Sequence, residues 1–172
     1  MAHMATIATV RHSAGADTPA KDLDRFREYL RRGAPGPHVY VLLLGLDTFD
    51  TPDLLRAVRK GLPYRAFERF RRNSALPVDC VLDIVNIPRR TLTRRKAEGR
   101  FLPDESDRLL RASRVFGWAL TLFEGDRDAA TEWLTTAQPA LGGVAPLDLA
   151  GTDVGAREVE RLVGRLEHGV FP

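Results

Sequence analysis

Short amphipathic segments separated by proline and glycine make up most of the chain, and this division restricts it to a helical fold. In residues 103–125, for example, Leu109, Phe116 and Leu120 fall on one stripe. Apolar residues at intervals of three and four indicate an amphipathic helix, whereas strict alternation would indicate a half-buried strand. Alternation of any length is absent from the sequence. The predicted fold class is therefore all-α.

Several segment ends carry residues that favour helix termini. Thr51 is predicted to cap the N-terminus of a helix that ends at Gly61, and Pro103 begins the long segment 103–125. Thr152 is the predicted N-cap of the last helix, which ends at Gly169. The apolar run 38–46 is compatible with a buried strand or a buried helix, because periodicity does not distinguish the two in so short a run.

Positive charge is concentrated in the middle of the chain. Residues 54–116 contain 16 Lys/Arg and 7 Asp/Glu, whereas residues 117–172 contain 4 and 9, although the whole chain has a net charge of only +3. A basic middle segment is typical of a surface that binds a polyanion. The acidic C-terminal segment is predicted to bind something else.

The sequence lacks the residue groups that most enzymes and metal sites require. Cys80 is the single cysteine, the four histidines are scattered, and no Ser/His, Cys/His or paired-carboxylate constellation is evident. We therefore expect no catalytic residue, no metal and no cofactor, and hence a protein that is not an enzyme. The single cysteine and the lack of an apolar run of about 18 residues predict a cytoplasmic protein with no membrane contact.

Residues 77–99 have the outline of a helix-turn-helix: a short helix, a break at 86–88, and a short basic helix. Ile87 and Leu92 would anchor the unit to the core. Arg90, Thr93 and Arg94 follow helical spacing and share an outer face, where arginine can read guanine and threonine can contact bases or phosphates. The predicted DNA-binding residues are Arg89, Arg90, Thr91, Thr93, Arg94, Arg95 and Lys96, of which Arg89, Arg95 and Lys96 would contact phosphates.

A second interpretation of the basic helix remains open at this point. Its arginines could form an ordinary solvated face and pair with Glu98, Asp79 or Asp83. If the helix does bind DNA, a homodimer on paired half-sites is expected, because one helix-turn-helix gives little affinity. The apolar run 39–46 and the stripe of 109–123 are the candidate dimer surfaces.

Residues 54–172 carry an ordered set of short fragments that resembles the Xre/MbcA/ParS family of antitoxins. The fragments are RTLTRR, ESDRLLR, ALGG, PLDL and GRLEHGV, in that order. The resemblance implies an Xre-like helix-turn-helix domain followed by a small helical toxin-binding domain. It also implies the antitoxin of a type II toxin–antitoxin module, bound to a RES-domain toxin encoded beside it that degrades NAD⁺ or uses it for ADP-ribosylation. Such antitoxins block the NAD⁺ pocket of the toxin and commonly bind their own operator DNA.

The resemblance and the segment ends together predict four regions. Residues 1–20 are expected to be a disordered leader whose first three residues look like a cloning remnant, and residues 21–53 a helical extension. Residues 54–108 would form the helix-turn-helix domain and residues 109–172 the toxin-binding domain. An alternative is a helix-turn-helix transcriptional regulator whose C-terminal domain senses a small molecule.

The last helix is predicted to bind the toxin. Val154, Val159, Leu162, Val163 and Leu166 form its apolar stripe. We expect the segment EHGVFP to enter or cap the toxin cleft, with Phe171 filling apolar space and Arg161 or Arg165 pairing with toxin carboxylates. The predicted toxin-binding residues are Arg157, Glu158, Arg161, Arg165, Glu167, His168, Gly169, Val170 and Phe171.

Overall fold

The computed structural model describes residues 19–33 and 38–169. The predictions for residues 1–18, Val170 and Phe171 lie outside the described residues. The helices are α1 (Pro19–Arg31), a 3₁₀ helix (Val39–Leu44), α2 (Thr51–Lys60), α3 (Tyr64–Ser74), α4 (Val78–Val85), α5 (Arg89–Glu98), α6 (Pro103–Leu122), α7 (Arg127–Thr135), a 3₁₀ turn (Pro139–Leu141), α8 (Pro146–Leu149) and α9 (Asp153–Glu167).

The all-α prediction is confirmed. Within residues 19–33 and 38–169 no strand forms, and β-type backbone pairing is limited to two isolated bridges, Pro63 with Arg100 and Gln138 with Val144. Helix α1 begins at Pro19, two residues before the predicted start of the helical extension at residue 21.

Helix α6 is the centre of the bundle. Its 20 residues, about 30 Å of helix, contact the first 3₁₀ helix, α2, α3, α4, α7 and α9. Leu109, Phe116 and Leu120 are buried on the stripe predicted from sequence. The predicted domain boundary at residue 108 falls inside this continuous helix. The two domains therefore share α6, whose buried residues belong to one hydrophobic core.

The apolar run that periodicity left open forms the 3₁₀ helix Val39–Leu44. All six of its residues are buried, and it packs against α1, α3 and α6. Gly117 of α6 permits the approach, because a Cβ there would lie 2.8 Å from the Cβ of Tyr40. The prediction that residues 39–46 and the 109–123 stripe form dimer surfaces is wrong, because both segments are largely buried in the core of a single protomer.

The helix caps agree with the sequence at α9 and differ by one residue at α2. Thr152 Oγ1 accepts from Gly155 N at 3.0 Å, as predicted. At α2 the cap is Asp50, whose carboxylate accepts from Asp53 N at 2.9 Å, and Thr51 is the first helical residue. Asp50 is preferred because its acceptor carries a full negative charge at the positive end of the helix dipole.

Candidate DNA-binding and toxin-binding surfaces

Helices α4 and α5 form the short helix–break–short helix unit that the sequence predicted. Asn86 ends α4 in the left-handed conformation (φ 48°), and Ile87 N donates to Leu82 O at 3.0 Å. Ile87 is buried and Leu92 is half-buried against the core, so these two side chains attach the second helix to the bundle. The rest of α5 is free to face outward, and seven of its ten residues are exposed.

The outer face of α5 is cationic and carries no compensating carboxylate. Arg90, Arg94 and Lys96 are exposed, and none of them forms an ion pair with a described residue. Thr93 is exposed beside them, and its hydroxyl donates to Arg89 O at 3.2 Å. Thr91 is half-buried at the edge of this face. We call Arg90, Thr93, Arg94 and Lys96 the α5 face.

Arg89 behaves as the alternative interpretation expected. Its guanidinium pairs with Asp79 of α4 across the turn, and both side chains are well exposed. Such a surface pair contributes little to stability, typically about 0–1 kcal/mol. Arg89 remains accessible to a phosphate, but a bound phosphate would compete with Asp79.

The prediction that Arg95 contacts a DNA phosphate is wrong, because its side chain points into the protein. Arg95 is only 4% exposed and forms two hydrogen bonds with the buried Glu105 of α6, at 2.6 and 3.0 Å. A third bond reaches Glu98. The bonds from Glu105 and then Glu98 raise the pKa of Arg95 above its usual value. Glu105 also accepts from Leu102 N at 2.8 Å, so one carboxylate both caps α6 and holds α5.

A signal for this arrangement was present in the sequence. Arg95 lies three residues after Leu92, so the two share the inner side of α5. A polar residue on the inner side of a helix must find a partner, and Glu105 is the carboxylate that meets it.

Helix α9 buries one side and exposes the other. Ala156, Val159, Leu162 and Val163 are buried, while Leu166 is half-buried. Gly155 lets the helix pass close to α8, since a Cβ there would lie 2.0 Å from Leu149 O. Val154, predicted to lie on the apolar stripe, is instead 73% exposed, because it lies three residues before the exposed Arg157 and so shares the outer side of the helix.

The predicted toxin-binding residues that the structure describes lie together on the exposed side of α9. Arg157, Arg161, Glu167, His168 and Gly169 are exposed, and Glu158 and Arg165 are half-buried at the edges. Val170 and Phe171 lie outside the described residues. The charged side chains are already partly paired within the helix: Arg157 with Asp153 at 2.9 Å, and Arg161 with Glu158.

His168 and Gly169 end the helix. The Nδ1 atom of His168 lies 2.7 Å from Gly164 O, and Gly169 has φ +64°. His168 therefore caps the C-terminal end of the helix, and Gly169 has its predicted position after the last turn.

Sequence reasoning missed Gly164, a half-buried glycine in the interior of α9 on the same side as Arg157 and Arg161. Apart from its chain neighbours and the backbone of α9 itself, no described atom lies within 4 Å of the position that a Cβ would occupy there. A glycine inside a helix costs about 0.5–1 kcal/mol relative to alanine, and nothing within the described chain requires it. We call Val154, Arg157, Arg161, Gly164 and His168 the outer face of α9.

The described residues contain neither a metal-ligand cluster nor a membrane-spanning helix. No group of three or more His, Cys, Asp or Glu side chains there converges as a metal site would require. No helix there has both the length and the apolar character needed to cross a bilayer.

Comparison with known proteins matches each half of the chain to a described domain. A family model for the antitoxin Xre-like helix-turn-helix domain matches residues 53–114, which contain α4 and α5. A second family model, for the antitoxin Xre/MbcA/ParS C-terminal toxin-binding domain, matches residues 119–169, which contain α7 to α9.

Each of three relatives aligns with most of this chain over most of its own length. Antitoxin Xre of Yersinia enterocolitica is 38% identical over 129 residues, 74% of this chain and 87% of the relative. Antitoxin Xre of Photorhabdus laumondii is 34% identical over 128 residues, 74% of this chain and 86% of the relative. A protein of Sphingobium sp. named Prs ADP-ribosylating antitoxin is 32% identical over 151 residues, 81% of this chain and 91% of the relative.

The helix-turn-helix unit, the C-terminal helical unit and these matches agree in order and position along the sequence. The chain belongs to the Xre/MbcA/ParS family of antitoxins, with its helix-turn-helix domain at residues 53–114 and its toxin-binding domain at residues 119–169.

Proposed function

We propose that this antitoxin neutralises a RES-domain toxin by covering the toxin's NAD⁺ site, and that it represses its own operon as a DNA-bound homodimer. In this proposal the outer face of α9 contacts the toxin, and the α5 face binds the operator. The two surfaces are on different helices and share no residue. Each can therefore be changed without altering the other.

The observation that carries the toxin-binding proposal is the unfilled surface above Gly164. An exposed helix gains from alanine at this position, so glycine is better explained by a partner whose backbone comes close. Val154 adds an exposed apolar side chain to the same face, and Arg161 adds a cation. Close backbone approach, apolar contact and charge together are what a specific protein interface uses.

In the proposed complex, the residues after α9 continue the contact. His168 and Gly169 turn the chain away from the helix axis, and Val170 and Phe171 follow. Phe171 would occupy apolar space in the toxin cleft, and Arg161 or Arg165 would pair with toxin carboxylates. Blocking a cleft in this way requires burial and fit, with no catalytic group from the antitoxin.

A size series at Gly164 tests the interface. Gly164→Ala should fold with equal or greater stability but bind the toxin more weakly, because its methyl group would meet the partner backbone that approaches Gly164. Gly164→Trp should also fold, and it should bind at least roughly 30-fold more weakly, the cost of losing a hot spot of about 2 kcal/mol. Affinity for the RES-domain protein encoded beside this gene is measured by calorimetry. Arg31→Ala, an exposed substitution in α1, is the control. Binding by both Gly164 variants as tight as that of wild type would exclude this face.

Deletion of residues 168–172 tests the tail separately. We expect weaker binding and the return of NAD⁺ consumption by the toxin. If the truncated protein inhibits as well as the full chain, the tail does not enter the cleft and only the helix face remains as the candidate contact.

The DNA-binding proposal is supported by the uncompensated charge of the α5 face. Arginine on an exposed helix after a tight turn can form paired hydrogen bonds with a guanine edge. Arg90→Ala and Arg94→Ala should each lose roughly 1–3 kcal/mol of operator binding and relax sequence preference. Fluorescence anisotropy with operator and scrambled DNA measures both effects. Arg157→Ala, on α9, is the control. Unchanged operator affinity in an Arg90/Arg94 double variant would remove α5 from the reading role.

A further inference from the structure

A cavity separate from both proposed surfaces lies between α2 and α3. Its walls are the loop after the first 3₁₀ helix, the C-terminal half of α2, the first turn of α3, and Arg100, which follows α5. Its volume is about 230 Å³. None of the residues of the α5 face or the outer face of α9 lines it.

The lining of this cavity has an excess of positive charge. Five cationic side chains line it, and two carboxylates do so as well, Asp47 and Asp53. Both carboxylates are already engaged: Asp47 accepts from Arg25 at 2.6 Å, and Asp53 pairs with Arg56. The cationic residues are Arg56, Lys60, Arg65, Arg69 and Arg100.

Three of these cations meet no carboxylate among the described residues. Arg100 donates to Lys60 O at 2.9 Å and Gly61 O at 3.3 Å, both of which are backbone carbonyls. These bonds hold the guanidinium in place and satisfy the two carbonyls at the C-terminal end of α2. They do not neutralise the positive charge of Arg100. Lys60 and Arg65 are exposed and make no ion pair with a described residue. The lining of the cavity is therefore electropositive.

The cavity is also partly apolar. Leu46, Ala57 and Pro63 contribute half-buried apolar surface to its walls. Pro63 is the N-cap of α3 and has no side-chain acceptor for the amides of the first helical turn. An inorganic anion would satisfy the cations but would leave the apolar walls in contact with water. The lining as a whole matches a molecule that carries both an anionic group and a ring.

We propose that this cavity binds a small organic phosphate of mononucleotide size. Lys60, Arg65 and Arg100 hold the phosphate, and Leu46, Ala57 and Pro63 contact the ring. The cavity of about 230 Å³ has room for the phosphate and part of the ring system of a mononucleotide, whose outer edge stays in solvent. The assignment is independent of toxin binding and of operator reading, and it places a small-molecule site in the N-terminal half of the chain.

Calorimetry with AMP as the probe tests the site in the full chain, and inorganic phosphate and adenosine form the other two arms. We expect saturable AMP binding, with phosphate alone and adenosine each weaker by roughly tenfold or more, since each lacks half of the recognised groups. The Lys60→Ala/Arg65→Ala double variant should lose roughly tenfold in AMP affinity. Both residues are exposed, so the variant is expected to fold. Arg72→Ala is the matched control, an exposed α3 cation that does not line the cavity.

Three outcomes would overturn the assignment. The first is no saturable AMP binding at millimolar concentration, and the second is equal AMP affinity in wild type and the double variant. The third is adenosine binding as tightly as AMP, which would remove the phosphate from recognition. Operator affinity of the double variant is measured alongside. If the double variant loses operator affinity and the wild type shows no AMP binding, Lys60 and Arg65 contact the DNA backbone instead.

Discussion

Replacing Arg95 by methionine should destabilise the fold, although Arg95 lies in the middle of a basic helix. Methionine keeps most of the side-chain length but removes the charge, leaving Glu105 buried without its cation. Glu105 loses hydrogen bonds of 2.6 and 3.0 Å and retains only the bond from Leu102 N. Breaking a buried ion pair from one side costs about 3–5 kcal/mol, because the remaining charge is uncompensated.

The expected cost is at the lower end of that range, about 3 kcal/mol. The pair is not deeply enclosed, since the third bond of Arg95 reaches Glu98, whose side chain is 49% exposed. For a chain of this size, each kcal/mol shifts Tm by about 2–4 °C, so Arg95→Met should lower Tm by about 6–12 °C. Thermal unfolding followed by circular dichroism measures the shift, and urea unfolding gives the free energy.

The neighbouring Lys96 provides the matched control. Lys96→Met makes the same chemical change one residue later on an exposed position. Its unfolding free energy should stay within about 0.5 kcal/mol of wild type, while its operator affinity falls. If Arg95→Met costs less than about 1 kcal/mol, the buried pair does not form in solution and Arg95 returns to the candidate DNA contacts.

A double-variant cycle with Glu105→Gln isolates the pair itself. Glutamine keeps an acceptor for Leu102 N, so the cap of α6 is retained. Each single variant removes the same interaction. We therefore expect the double variant to cost about as much as either single one, which is a coupling energy of about 2–3 kcal/mol. Strictly additive costs would mean that the two residues do not interact.

Three further predictions concern other parts of the chain. For Lys96→Ala, the slope of log affinity for operator against log salt should be smaller by about one than in wild type; anisotropy titrations over a salt series measure it, and an unchanged slope contradicts a phosphate contact. Burial raises the pKa of Tyr40 above its usual 10.0, so the stability that this group contributes is present below about pH 10 and is lost as pH rises further. Urea midpoints at about pH 9 and 11 should therefore fall less for Tyr40→Phe than for wild type, and equal falls would refute the shift. Asn73 donates to the Asp22 carboxylate and to Leu43 O, both at 2.9 Å, and so joins α3 to α1 and the first 3₁₀ helix. Asn73→Ala should cost about 2–3 kcal/mol in urea unfolding because two buried acceptors lose their donor, and a cost near zero would show that neither bond contributes.

Helical periodicity predicted the fold class and the position of the helix-turn-helix. The stripe of α6 and the ends of α5 follow from local rules, namely apolar spacing and the residues that start and stop a helix. Pro88 precedes α5 and Gly99 ends it in the left-handed conformation, the positions that proline and glycine favour at helix ends. These features depend on residues close together in the chain.

The errors arose where the outcome depends on a distant partner. Whether Arg95 faces solvent or the core is decided by Glu105, ten residues later on another helix. The exposure of Val154 depends on which side of α9 packs against α6 and α8. From sequence, residues 39–46 are predicted to form a dimer surface, because an apolar run does not show what covers it. In the structure, α1, α3 and α6 of the same chain cover this run. The cavity between α2 and α3 is likewise built from four separate segments.

The toxin-binding and DNA-binding surfaces are proposed to be separable, and one paired assay in living cells tests this most directly. Cells co-express the RES-domain protein encoded beside this gene with wild type, Gly164→Trp or the Arg90/Arg94 double alanine variant, and carry a reporter under the module's promoter. NAD⁺ content and reporter output are read from the same culture.

In cells with Gly164→Trp, NAD⁺ content should fall, whereas the same variant expressed without toxin should still repress the promoter. In cells with the Arg90/Arg94 variant, NAD⁺ content should be preserved and the promoter should no longer be repressed. If both variants lose both activities while remaining folded, or if NAD⁺ is preserved by Gly164→Trp as well as by wild type, the two-surface account is contradicted.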